Sequence, residues 1–286
     1  MLLRRPRAVV CDLDGVIWLA HVPIPGSVDA VARLRSAGCR VVFVTNNSGA
    51  CLADQESALA AIGIPASGDV VTSGIAAAAL VEPGERVLIC AGPGAAEAVE
   101  ARGAVAIPGD DAGAIDIDVV MVGFHREFDY ERMRIASTAV RRGARLLGTN
   151  DDATYPAPDG QIPGGGAILA SVAVAGGATA VVAGKPYAPM ATAVELLLDG
   201  LTPTETLVVG DRLDTDGRFA DAVGCPFALV RSGVTPPGMP VSMPVAIDAP
   251  DLASVADAVL RVPAEVPGHP AGSSTSRRMS GWRRTR

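Results

Sequence analysis

Lysine is nearly absent from this chain: of 24 basic residues in 286, Lys185 alone is not arginine. Aromatic residues are also scarce, at 3%. Positive charge is not in excess either, because 31 acidic residues against 24 basic ones leave a formal net charge of −7. Residues 264–286 hold five of the arginines and one glutamate, leaving 19 basic and 30 acidic residues elsewhere. A nucleic-acid partner requires a clustered basic field, so none is expected. The five cysteines, at 11, 39, 51, 90 and 225, have no CxxC or CxxH spacing. That argues against a disulfide framework or a zinc site and suits a reducing cytoplasm. The amino terminus, MLLRRPRAVVCDLDG, has charges where a secretory leader needs an apolar stretch. The long uncharged stretch 161–184 is broken by glycine and proline and carries little Leu or Phe. Neither export nor a membrane span is expected.

With 49% hydrophobic and 19% charged residues, the chain has enough apolar material for one or two globular domains. Short β-branched runs alternate with amphipathic helical patterns, which predicts a parallel α/β architecture. Strands are expected at 7–13, 40–44, 86–90, 118–122, 145–148, 178–183, 206–209 and 226–230. Helices are expected at 27–38, 54–62, 73–81, 95–102, 130–142, 188–198, 217–223 and 251–260, with Ser27 as the N-cap of the first. So many elements exceed one sheet of ordinary size. A second α/β unit at 80–183 is therefore expected as an insert in a discontinuous first unit, 1–79 and 184–262. Residues 263–286 turn polar and lose periodicity, as a disordered tail does.

The segment VVCDLDGVIW ends an apolar strand in two aspartates one residue apart. In extended chain Asp12 and Asp14 project from one face, toward the strand's carboxyl end where open α/β sheets bind ligands. Two adjacent carboxylates repel unless a cation joins them, and hard oxygen donors suit Mg²⁺. A solvated acidic loop end is the plain alternative. A second strand, RVVFVTNNS, ends in Thr45, Asn46, Asn47 and Ser48, small donors that suit an anion. Asn150 ends RLLGTN in the same way, although TN also begins ordinary turns. A third, ETLVVGDRLDTDG, supplies Asp211, Asp214 and Asp216. Lys185 lies in VVAGKPY between a glycine and a proline. A leftover surface lysine is its plain reading; an ammonium required as a compact point charge is the functional one. A carboxylate pair, hydroxyl and amide donors, an ammonium and a second carboxylate cluster at four strand ends suit attack on a phosphate. Asp12 would form an aspartyl-phosphate, while Asp14 would protonate the leaving oxygen and later accept a proton from water.

These segments resemble the four motifs of the haloacid dehalogenase superfamily: DxDG at 12–15, the hydroxyl of Thr45, Lys185, and GDxxxxD at 210–216. VTNNS, GKP and GDRLDTD are similar to subfamily IIA, whose members include phosphatases of phosphoglycolate, glycerol phosphate, pyridoxal phosphate, 4-nitrophenyl phosphate and nucleotides. The resemblance implies a Rossmann-like parallel-sheet core with an inserted α/β cap, Asp12 as nucleophile and Asp14 as acid/base. It implies phosphate donors in Thr45 and Asn46, with Lys185 as a charge clamp. It also implies Mg²⁺ on Asp12, the main-chain carbonyl of Asp14 and Asp211, with Asp216 supporting the metal or Lys185. Asp214 takes no role from it. A small phosphorylated metabolite is the implied substrate, and many such relatives pair as homodimers through their caps.

His125 stands in GFH where GFD is usual, and a surface or capping role weighs as much for it as substrate contact. DGRFADAVG departs from the usual helix start, and Gly217 could loosen that helix. GPG at 92–94 reads as a turn before a helix more than as a dinucleotide loop. A phosphomutase could use the same aspartyl-phosphate, but mutases usually carry their cap just after the first motif. A signalling receiver domain also combines Asp, Thr and Lys around Mg²⁺, but in a different order and about half this length.

Overall fold

The computed structural model describes residue 2, residues 4–157 and residues 160–263 of the chain, so the expected tail lies, apart from residue 263, outside the described residues. In chain order the first strands are β1 (Ala8–Cys11), β2 (Trp18–Leu19), β3 (Val22–Pro23), β4 (Arg40–Thr45) and β5 (Val70–Thr72). Then follow β6 (Arg86–Cys90), β7 (Val105–Pro108), β8 (Val119–Val122), β9 (Arg145–Gly148), β10 (Thr154–Ala157), β11 (Gly160–Pro163) and β12 (Val181–Val182). The last are β13 (Thr206–Gly210), β14 (Phe227–Val230) and β15 (Ile247–Ala249). The helices are α1 (Ser27–Ser36), α2 (Leu52–Ala61), α3 (Ser73–Ala78), α4 (Pro93–Ala101), α5 (Tyr130–Arg141), α6 (Gly165–Gly176), α7 (Ala188–Leu198), α8 (Arg218–Val223) and α9 (Leu252–Arg261).

Residue contacts group the chain into two units. The first comprises Met1–Phe43, Ala61–Asp69 and Val194–Arg286, and the second Val44–Ala60 and Val70–Ala193. The larger sheet runs β15-β14-β13-β1-β4-β5. Counted from β1, this is the doubly wound order 3-2-1-4-5-6, which reverses direction between β1 and β13. Those two strands pair in parallel, Ala8 opposite Thr206 and Cys11 opposite Val209. Every residue of β1, β13 and β14 is buried, as expected of parallel strands covered on both faces.

Helix α1 shows where local reading was incomplete. Its N-cap is Gly26, in the left-handed region at φ 81°, and not Ser27. The Ser27 hydroxyl is buried and donates to Ile17 O at 2.8 Å, a partner no local pattern announces. Other caps follow the local rule: Asp251 accepts from Ser254 N–H at 2.8 Å at the start of α9.

In the second unit, β12-β9-β8-β6-β7 form a parallel sheet whose strands all come from residues 86–182. Leu88, Val120, Val122, Ile135, Leu146, Leu169 and Val172 form its core, with α5 packed on α6. Asp129 caps α5 by accepting from Arg132 N–H at 2.9 Å. At the start of α4 the Gly94 N–H donates to Gly49 O at 3.2 Å, so GPG is a helix start closed by its own chain, not a dinucleotide loop. Among the described residues no helix is long and apolar enough to cross a membrane.

Candidate active site

In the first unit, Asp12 and Asp211 each follow directly on a strand end, β1 and β13, where the sheet order reverses. The Asp12 N–H extends the ladder, donating to Val209 O at 2.9 Å. The chain then turns back through Gly15, whose N–H donates to Trp18 O at 2.8 Å and whose carbonyl accepts from Ser232 Oγ at 2.6 Å. Gly15 has φ +85°, and a Cβ there would lie 2.6 Å from Asp211 Cγ. Only glycine meets both conditions. The GD step after β13 thereby sits against the DxDG turn.

Asp211 Oδ2 accepts from the Val234 N–H at 2.5 Å. Asp216 Oδ2 accepts from Arg212 N–H at 3.1 Å, closing a π-helical turn over Leu213–Gly217 that runs into α8. The expected irregularity at Gly217 therefore takes the form of one widened turn, a local expansion common at functional sites. Asp12, Asp211 and Asp216 each offer one oxygen, all within 4.8 Å of one another. Asp211 and Asp216 are 1% exposed. Three carboxylates gathered this closely repel, and a hard divalent cation is what such an all-oxygen donor set fits. Asp14 is outside this carboxylate group, in keeping with the resemblance, which gives only its main-chain carbonyl to the metal and leaves its side chain as the acid/base. Asp214 turns to the Arg212 guanidinium, accepting at 3.2 and 3.0 Å. Burial alone would raise its pKa, but the hydrogen bonds and charge of Arg212 outweigh that and hold it below the ordinary carboxylate value. It is a carboxylate of the π-helical turn paired with Arg212.

In the second unit, Thr45 ends β4 and is 3% exposed, and its Oγ1 accepts from Asn47 N–H at 3.0 Å. That leaves the hydroxyl proton to donate. Lys185 is also 3% exposed, and its ammonium donates to Val44 O at 3.1 Å. It is not a surface lysine. The Asn46 side chain bonds to the Lys185 main chain, Oδ1 accepting from Lys185 N–H at 2.7 Å and Nδ2 donating to Lys185 O at 3.1 Å.

The two TN strand ends meet. Asn150 Nδ2 donates to Asn46 O at 2.8 Å, and the Thr149 and Ser48 hydroxyls lie 2.9 Å apart. Ser73 and Asp152 also join the network, Ser73 Oγ donating to Asn46 O at 2.6 Å and Asp152 Oδ2 accepting from Asn46 Nδ2 at 3.0 Å. Sequence reasoning missed both.

His125 is half-buried, and its Nδ1 has no hydrogen-bond partner among the described residues. Burial, and then the nearby Arg132 charge, lower its pKa. Phe124 stacks on Tyr155 with ring centroids 4.7 Å apart, and the Tyr155 hydroxyl lies 3.5 Å from Asn47 Nδ2.

Two family models match the chain, one for haloacid dehalogenase-like hydrolases over residues 9–105 and a HAD-hydrolase-like one over 182–258. The acid sugar phosphatase of Staphylococcus saprophyticus is 32% identical over 237 residues, 82% of this chain and 89% of that protein. Among solved structures, the p-nitrophenyl phosphatase of Archaeoglobus fulgidus superposes with a TM-score of 0.80 at 27% identity, covering 89% of this chain and 99% of that one. The glycerol phosphate phosphatase of Mycobacterium tuberculosis, in complex with magnesium, superposes with a TM-score of 0.76 at 32% identity, covering 88% of this chain and 76% of that one. With these relatives and the DxDG and GDRLDTD turns built as described, the chain belongs to the haloacid dehalogenase-like hydrolases, among the phosphomonoester hydrolases of the subfamily IIA type.

Proposed function

We propose that the protein hydrolyses phosphomonoesters of small metabolites through an aspartyl-phosphate on Asp12. The observation that carries this reading is the grouping of Asp12 with Asp211 and Asp216 where the sheet order reverses. An Asp12 oxygen attacks phosphorus, the bond from phosphorus to the ester oxygen breaks, and that oxygen leaves with the electron pair and takes the proton of Asp14. Water then attacks the phosphorus of the acyl phosphate, Asp14 takes a proton from it, and the bond to Asp12 breaks to return the carboxylate and inorganic phosphate. Thr45, through its hydroxyl, and Asn46, through its main-chain N–H, would hold phosphoryl oxygens, and the Lys185 ammonium would offset their charge. Mg²⁺ fits the donor set and would be held by Asp12, Asp211 and the Asp14 carbonyl, with Asp216 beside them. When bound, it supplies the positive charge that lets a carboxylate approach a phosphate dianion.

Residues 1–79 and 184–262 are proposed as the core and 80–183 as the cap. The second sheet, drawn wholly from 86–182, supports that division. The names of relatives, an acid sugar phosphatase and a glycerol phosphate phosphatase, support a small phosphorylated polyol or sugar as the class of substrate. The test is inorganic phosphate release by purified protein with Mg²⁺ from a panel of sugar phosphates, glycerol phosphates, nucleotides and 4-nitrophenyl phosphate, ranked by kcat/KM. Release from none of them would overturn the reading.

A further inference from the structure

We infer that Asn46 is a positioning residue for Lys185, its side-chain amide holding the lysine in place while leaving phosphate contact to other groups. The inference rests on the catalytic reading of Lys185 given above. Lysine is a flexible four-carbon stem, and ordering it costs rotamer freedom. A charge clamp therefore needs its root fixed as well as its tip. Asn46 fixes the root. Its Oδ1 accepts the Lys185 N–H at 2.7 Å and its Nδ2 donates to the Lys185 carbonyl at 3.1 Å, so one amide grips both main-chain groups of the same residue. The second Nδ2 proton goes to Asp152 Oδ2 at 3.0 Å. With both amide protons used, the Nδ2 group has none left to donate to a phosphoryl oxygen.

Asn46 is itself held. Its carbonyl accepts from Ser73 Oγ at 2.6 Å and from Asn150 Nδ2 at 2.8 Å, and the Asp152 N–H donates to Asn150 Oδ1 at 3.2 Å. The residue before the lysine is shaped for this approach, because a Cβ on Gly184 would lie 2.6 Å from Asn46 Oδ1. The ammonium donates to Val44 O, two residues before Asn46 on the same strand end, so root and tip are referred to one segment of chain. The donor pattern also fixes the amide orientation, since a flipped Asn46 would set nitrogen against the Lys185 N–H and oxygen against a carbonyl and a carboxylate.

A double-mutant cycle between Asn46→Ala and Lys185→Ala, read as kcat/KM for 4-nitrophenyl phosphate, tests this, with circular dichroism confirming that each variant is folded. A positioning residue loses its value once the group it positions is gone. The expected result is a loss of roughly tenfold or more for Asn46→Ala, and a double variant within about threefold of Lys185→Ala alone. Should Asn46→Ala fail to fold, the isosteric Asn46→Asp serves in its place. It keeps one acceptor for the Lys185 N–H but turns an anionic oxygen toward the Lys185 carbonyl and Asp152, and the same lack of additivity is expected. Losses that multiply in the double variant, or full activity in Asn46→Ala, would overturn the inference. Full activity in Lys185→Ala would instead bring down the catalytic reading, and this inference with it.

Discussion

The Lys185 ammonium lies in a buried setting where its length and compactness both matter, 3.1 Å from Val44 O with its main chain gripped by Asn46. A guanidinium is broader and planar and cannot take the same place as a point charge. Lys185→Arg is therefore expected to lower kcat/KM by roughly a hundredfold, close to the loss in Lys185→Ala. A steady-state assay with 4-nitrophenyl phosphate checks this, and near-normal activity in the arginine variant would remove the point-charge argument. At this scale the sequence was informative wherever chemistry-bearing residues fell at strand ends, which is how Asp12, Asp211, Thr45, Asn46 and Lys185 stood out. The repeated TN was legible as a pattern, and its meaning, Asn150 holding the Asn46 carbonyl, needed the fold. Asp152 and Ser73 were illegible because they reach Asn46 from 106 and 27 residues away, with no local spacing to mark them.

Among the elements, the turn before β13 carries a separable stability determinant. Glu205 closes a capping box with Thr202, accepting from its hydroxyl at 2.7 Å and its N–H at 3.0 Å, and it also accepts from Arg7 at 2.8 Å. The Thr202 hydroxyl and N–H, and then the Arg7 guanidinium, bring its pKa from the ordinary 4.5 down to about 2. A carboxylate depressed in the folded state adds stability that is fully present above its unfolded value and lost as pH falls through the folded one. Glu205→Gln should accordingly cost about 1 kcal/mol at neutral pH, with solvent screening limiting the effect. Thermal melts from pH 7 down to 2 should show the variant and parent converging between about 4.5 and 2. A constant gap across that range would contradict the assignment.

Helix periods were readable in α5 and α7, which fall within a residue or two of the patterns expected at 130–142 and 188–198, whereas α6, an alanine- and glycine-rich stretch without a polar face, was not expected. The hairpins β2–β3 and β10–β11 were not. Strands of two to four residues, three of the four containing proline, are too short to establish a period of two. Likewise β5, three residues leading directly into α3, carries no alternation of its own.

For the molecule as a whole, the two parallel sheets and the reversal between β1 and β13 place one carboxylate cluster at one sheet's carboxyl edge. The alternation of strands and helices made the α/β class legible, while strand order was not, because parallel pairing joins segments some two hundred residues apart, such as β1 and β13. Dialysis against EDTA should abolish phosphate release, and excess Mg²⁺ should restore it. Asp211→Asn should lose most activity even at saturating Mg²⁺. A turnover rate indifferent to chelation would exclude a cation at Asp12, Asp211 and Asp216.

The aspartyl-phosphate route makes a still narrower demand, that one carboxylate oxygen on Asp12 form a bond to phosphorus. Asp12→Asn removes that nucleophile while keeping the side chain's shape. Turnover of 4-nitrophenyl phosphate with Mg²⁺, measured on Asp12→Asn protein whose circular dichroism matches the parent, is predicted to fall by about a thousandfold or more. Parent-like turnover in that folded variant would contradict the account.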